Sequence, residues 1–130
     1  METLAYIHED SLEGVLSAVF EAYERREFPD DIVVRGLLQQ RLGERVHYVR
    51  TDIGHASRVR VGLIRTCGFR AYAAVRAVYL SDDRSKGAAI HAFVRYAMKR
   101  GPRALDDAVH PDVSDFVAIN RFVYNEVHHW

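Results

Sequence analysis

The sequence predicts a mainly α (α+β) fold, with four to five helices packed around a small two- or three-stranded β element near the N-terminus. Three observations predict it. Residues Tyr6 to Arg26 read as a short strand running into an amphipathic helix. Arg45 to Arg50 alternates like a strand, and from Thr51 onward the apolar residues recur at helical spacing between caps and stops. With 130 residues, the chain suits a single domain over 1–130. Hydrophobic residues at 48% and charged ones at 28% give a globular balance and exclude a disordered chain. No apolar run approaches the ~18 residues of a membrane span. The opening METLAYIHEDS has no basic segment followed by an apolar stretch, so it does not read as a signal peptide. A single cysteine, Cys67, excludes an internal disulfide and fits a reducing, cytoplasmic location.

The first helix is the most fully specified element. Asp10 is the expected N-cap, with Glu13 three residues later reaching back as in a capping box. Leu12, Val15, Leu16, Val19, Phe20 and Tyr23 then form one apolar stripe opposite Glu21, Glu24 and Arg25. Gly14 lowers helix propensity by about 1 kcal/mol relative to alanine, which predicts that another backbone approaches it closely. Pro29 with Asp30-Asp31 ends this segment. Residues 32–42 read as a loop with a short strand or helical turn. After Gly43, the strand Arg45–Arg50 is expected to pair with Leu4–His8.

Thr51 or Asp52 caps the next helix, which runs to about Cys67 with Ile53, Ala56, Val59, Leu63 and Cys67 inward. Between Leu63, Ile64 and Phe69, Cys67 reads as a buried, inert thiol rather than a nucleophile. Gly68 is a natural stop. A further helix covers Arg70–Leu80, apolar at Ala71, Ala74, Val75, Val78 and Tyr79. The sequence Ser81-Asp82-Asp83 caps another from about Arg84 to Lys99, with Ala89, Ile90, Phe93, Val94 and Ala97 inward. Gly101-Pro102 terminates it. Arg103–Val109 reads as a turn, and Pro111 suits the first position of a last helix. That helix is expected to bury Val113, Phe116, Val117, Asn120, Val123, Tyr124 and Val127. The chain stops at Trp130 in mid-pattern, which predicts the N-terminal part of a longer architecture.

Net charge is zero but segregated. Residues 1–30 hold eight acidic and two basic residues, and residues 31–70 hold three acidic and eight basic. Sixteen of the eighteen basic residues are arginine, which suits bidentate contact with phosphate or carboxylate and also follows from a GC-rich genome. Arg58 and Arg65 stand seven residues apart on one helix beside Gly62. Arg45, Arg50 and Arg70 extend that set, and His47 and Tyr48 could add stacking. The bland alternative is a solvated arginine-rich face.

Several segments together resemble one family. They are Tyr6 with Asp10-Ser11-Leu12-Glu13-Gly14, then Val19-Phe20-Glu21-Ala22-Tyr23, Thr51-Asp52, and Ala56-x-Arg58-Val59 with Gly62-Leu63. Tyr79-Leu80-Ser81 and Val123-x-Asn125-Glu126-Val127-His128 complete the series. Each motif alone is weak, but their order covers nearly the whole chain. The family is that of probable DNA metabolism proteins. Its members occur beside a radical SAM protein thought to modify or repair DNA and are sometimes fused to a uracil-DNA glycosylase-like domain. The resemblance implies an accessory or scaffold role in DNA modification or repair, with one of those proteins as partner. It implies no defined catalytic residues.

The motifs with chemistry of their own are few. Glu126 and His129 have the Glu-x-x-His spacing of one helix of a di-iron site, but no second such pair exists, and adjacent His128 and His129 diverge by about 100° on a helix. No metal is therefore expected. There is no P-loop, no G-x-G-x-x-G, no nucleophile elbow and no cysteine cluster, so no cofactor is expected either and radical chemistry would have to come from the partner. The enzyme alternative places a His/carboxylate site at the His8–Asp10 junction, with Glu21, Glu126 and His128. It requires those groups to converge on a concave pocket. A nucleic-acid module requires arginines on an open surface, and a purely structural interaction domain requires neither.

Overall fold

The computed structural model describes residues 2–128, with side-chain surroundings through Glu126. The expectations for Val127, for the His128 and His129 side chains and for Trp130 lie outside the described residues. The elements in order are β1 (Leu4–His8), α1 (Leu12–Arg25), β2 (Asp31–Val34), β3 (Arg45–Tyr48), α2 (Ile53–Cys67), α3 (Phe69–Tyr79), α4 (Lys86–Arg100), a 3₁₀ turn (Ala104–Asp106) and α5 (Pro111–His128). The fold is mixed α/β and mostly helical, with a three-stranded parallel sheet in the N-terminal half. By its contacts the chain divides into two compact units, residues 1–60 and 61–130, with α2 running through the boundary.

In the first unit β1 is the central strand, with β2 on one side and β3 on the other, all parallel. A central parallel strand is covered on both faces, which is why Ala5, Tyr6, Ile7 and His8 are all buried and do not alternate. The expected pairing of Leu4–His8 with Arg45–Arg50 is present, in a register that sets Ala5 opposite Val46 and Tyr6 opposite His47. The third strand comes from 31–34, within and just before the stretch read as irregular. Parallel pairing is long-range, and a four-residue strand that begins on Asp31 and is followed by Arg35-Gly36 carries too little local signal to announce it. Tyr6, Ala18, Ala22, Ile32 and Val49 form the core cluster that holds α1 to the sheet.

The cap of α1 is Ser11, not Asp10. Ser11 has extended backbone angles and its Oγ accepts from the Gly14 N–H at 2.9 Å, while Asp10 stands exposed one residue earlier. The close approach expected at Gly14 is present: a β-carbon there would lie 2.4 Å from the Glu9 carbonyl oxygen and 3.0 Å from Ser11 Oγ. Neither the backbone oxygen nor the cap can move without undoing the turn in which Ser11 N–H donates to Glu9 O at 2.8 Å. Gly14→Ala is therefore expected to lower stability by about 1–3 kcal/mol despite alanine's better propensity, as a urea titration would show. An unchanged or raised midpoint would contradict this packing.

Two residues assigned to inner faces are exposed in this unit. Tyr23 is 44% accessible near the end of α1, and Ile53 is 69% accessible in the first turn of α2. That turn is capped as expected, with Asp52 Oδ1 accepting from His55 N–H at 3.0 Å.

In the second unit α4 packs on α3 and α5. All five predicted inner residues of α4 are buried, as are Leu63, Cys67, Ala71, Val75, Val78, Val113 and Phe116. Burial raises the Cys67 pKa, and its thiol donates to the Ala97 carbonyl at 3.2 Å, so it is a core group. Helix α4 begins at Lys86 rather than near Arg84. Asp83 Oδ1 accepts from the backbone N–H and the hydroxyl of Ser85, which makes a turn there instead of helix. Tyr124 is 62% exposed rather than inward, as are the neighbouring Phe122 at 63% and Glu126.

Candidate functional site

The groups proposed for a His/carboxylate site have separate fates. His8 closes β1 at 2% accessibility, with Nδ1 donating to the Glu9 carbonyl at 2.8 Å. Asp10 is exposed at the entry to α1. Glu21, on α1, is half-buried and enters a cleft that neither His8 nor Asp10 lines. Glu126 belongs to the second unit and is exposed on α5, where the backbone of His128 also lies. Among the described residues no three His, Cys, Asp or Glu side chains gather to hold a metal ion.

What the sequence did not announce is the partner of Glu21. His47 Nε2 donates to Glu21 Oε1 at 2.6 Å, joining β3 to α1 across 26 residues of sequence. The His47 ring meets Tyr6 edge-on, with centroids 5.0 Å apart. Tyr6 in turn donates to Glu27 Oε1 at 2.6 Å, and Glu27 also accepts from Arg25 at 2.8 Å and Arg45 at 3.0 Å. The bond from Tyr6, then that from Arg25, holds the Glu27 carboxyl down to about 2, while burial and Glu27 push the Tyr6 phenol up. This network is a polar seam between the end of α1 and the sheet.

The cleft beside it has a volume of about 360 Å³, lined by Phe20, Glu21, Glu24, Arg25, Arg50, Asp52 and His55. Helix α1 supplies the first four of these residues, Asp52 caps α2, and His55 stands in the first turn of α2. Their mutual position is set by Ser17, whose Oγ accepts from Asp52 N–H at 3.0 Å and donates to the Asp52 carbonyl at 3.2 Å. The Phe20 and His55 rings stack at 4.0 Å and 16°, and the Arg58 guanidinium lies 5.3 Å from the Phe20 centroid. The backbone bond from His55 is the main cause holding the Asp52 carboxyl below its usual range, and the Arg50 charge adds to it.

The five arginines singled out for nucleic acid divide between the units. Arg45 is committed to Glu2 and Glu27, both at 3.0 Å. Arg50 is exposed in the cleft, and Arg58 is exposed over Phe20. Arg65, near the end of α2, and Arg70, at the start of α3, are exposed in the second unit. Between them is a feature absent from the sequence reading. Phe69 is 56% exposed, and the Arg76 guanidinium lies 5.5 Å from its centroid and 5.5 Å from that of Tyr72. Gly68, at φ 90°, makes the corner that lets α3 start immediately after α2 and presents Phe69 there. The first unit holds eleven acidic against eight basic residues, and the second holds seven acidic against ten basic.

No helix among the described residues is long and apolar enough to cross a membrane. Comparison with protein-family models, with curated proteins and with solved structures finds no match to this chain.

Proposed function

We propose that this chain is an accessory or scaffold component of DNA modification or repair, acting in the cytoplasm beside a radical SAM or uracil-DNA glycosylase-like protein and contacting nucleic acid through exposed arginines. The family resemblance supports the DNA context and the partner. The observation that carries the nucleic-acid contact is the α2–α3 corner. There an exposed aromatic ring, Phe69, lies between Arg65 and Arg70 in sequence and carries Arg76 over it, within the unit of positive charge. Guanidinium groups attract backbone phosphates, and an open aromatic face stacks an unpaired base whatever its identity.

The test is fluorescence anisotropy with single- and double-stranded DNA at two salt concentrations. Salt-sensitive binding is expected, weakened about tenfold in Arg65→Ala/Arg70→Ala, with the log–log salt slope shallower by about 1.5. Phe69→Ala is expected to weaken single-stranded binding more than double-stranded binding. No binding of either form at low salt would end the proposal. One observation favours an enzyme as the second reading, namely the Glu21–His47 bond at the edge of a cleft.

A further inference from the structure

The first-unit cleft holds two groups of opposite charge that its own ion pairs leave uncommitted. Arg25 is held by Glu27 at 2.8 Å, Glu21 by His47 at 2.6 Å, and Asp52 caps α2 through the His55 N–H. Glu24 and Arg50 are exposed on the cleft lining and take part in none of the ion pairs found among the described residues of this unit. The same lining carries the stacked Phe20 and His55 rings, with His55 retaining 42% side-chain exposure. The space, about 360 Å³, is within the range of small-molecule sites.

A ligand that satisfies all three features has a planar ring, an anionic group and N–H donors. An inorganic anion would leave the aromatic wall and Glu24 unused. A cationic ligand would take Glu24 and leave Arg50 unpaired. A nucleotide uses each of them: its base lies on a ring face, its phosphate takes the guanidinium, and its amino and imino edge donates to a carboxylate, which only accepts. We propose that the cleft lined by Phe20, Glu24, Arg50 and His55 binds one nucleoside monophosphate unit, with the phosphate at Arg50, the base against the His55 ring and its N–H edge at Glu24. Guanine, which presents two adjacent donors, fits this carboxylate best, and thymine, with one, fits it least. The unit is either a free nucleotide or a single residue of a strand. The site is in the first unit and does not rest on strand binding by the α2–α3 corner.

The experiment is an NMR titration of the full chain with deoxyguanosine monophosphate, following the ring protons of Phe20 and His55. Deoxythymidine monophosphate, inorganic phosphate and a guanine-centred trinucleotide are titrated in parallel. The guanine nucleotide is expected to shift both rings and to bind about tenfold more weakly to Arg50→Ala, whose residue is exposed and whose loss leaves the core intact. Glu24→Gln is expected to narrow the preference for guanine over thymine. Tighter binding of the trinucleotide would assign the site to a strand, and tighter binding of the mononucleotide would assign it to a free ligand. Three results would overturn the proposal: no ring shift at about 10 mM nucleotide, an affinity untouched by Arg50→Ala, or inorganic phosphate binding as tightly as the nucleotide. These readouts do not involve Arg65, Arg70 or Phe69, so they can fail or succeed independently of the DNA-binding test.

Discussion

Replacing Phe116 with alanine is expected to remove about 3–5 kcal/mol of stability, a large part of what a domain of this size possesses. Phe116 is fully buried on α5, and its ring lies parallel to that of Phe93 on α4, with centroids 4.0 Å apart and planes 3° from parallel. Truncation removes the apolar transfer free energy and leaves a void that neighbours on two packed helices cannot fill without leaving their rotamers. The Phe93 ring also loses the partner against which it stacks. The measurement is denaturant unfolding followed by amide exchange in α4 and α5, because the two units need not unfold together. A loss below about 1 kcal/mol would mean that this part of the second unit is not a sealed core.

Acidification is expected to destabilise the second unit by about 3 kcal/mol through His91 alone. His91 faces inward from α4 at 5% accessibility. Burial is the main reason its pKa falls to about 4 from 6.5; the Arg95 guanidinium lowers it further and the Asp112 carboxylate opposes the shift. Between those values the unfolded chain carries the proton and the folded one does not. The stabilisation is therefore complete above about 6.5, declines as pH falls, and is gone below about 4. Unfolding free energies measured across this window should fall for the native chain and stay flatter for His91→Leu. Parallel profiles would exclude His91 as the cause. Glu27, in the first unit, loses its own contribution only as pH drops from 4.5 towards 2, so the two effects separate by range as well as by position.

The sequence by itself determined the helices of the second unit and the faces they bury. Ala89, Ile90, Phe93, Val94 and Ala97 recur at the spacing that one side of a helix demands, and glycines at 68 and 101 end helices at a positive φ that favours glycine. Such signals are local: each is complete within two or three turns of chain. The strand-into-helix start was legible for the same reason, as was the tight spot at Gly14. The pairing of 4–8 with the strand beginning at Arg45 is long-range and was expected only as the simplest arrangement of two strand-like segments. Nucleic-acid candidates could be listed because arginine is recognisable by type, but their division between units could not.

The tertiary structure alone decided what depends on long-range neighbours or on backbone angles that two candidates share. Asp10 and Ser11 are both good caps; the extended φ and ψ of Ser11 chose between them. Strand β2 exists because β1 is there to accept it. Tyr23 and Tyr124 continue apolar stripes in sequence, yet both are largely exposed, since a periodic pattern does not state how far its covering surface extends. The Glu21–His47 bond spans 26 residues, and the Phe20–His55 stack forms only where Ser17 ties α1 to the start of α2. Periodicity reports which side of an element is apolar. It carries no information on which other element arrives there, and the cleft in the first unit is made by that arrival.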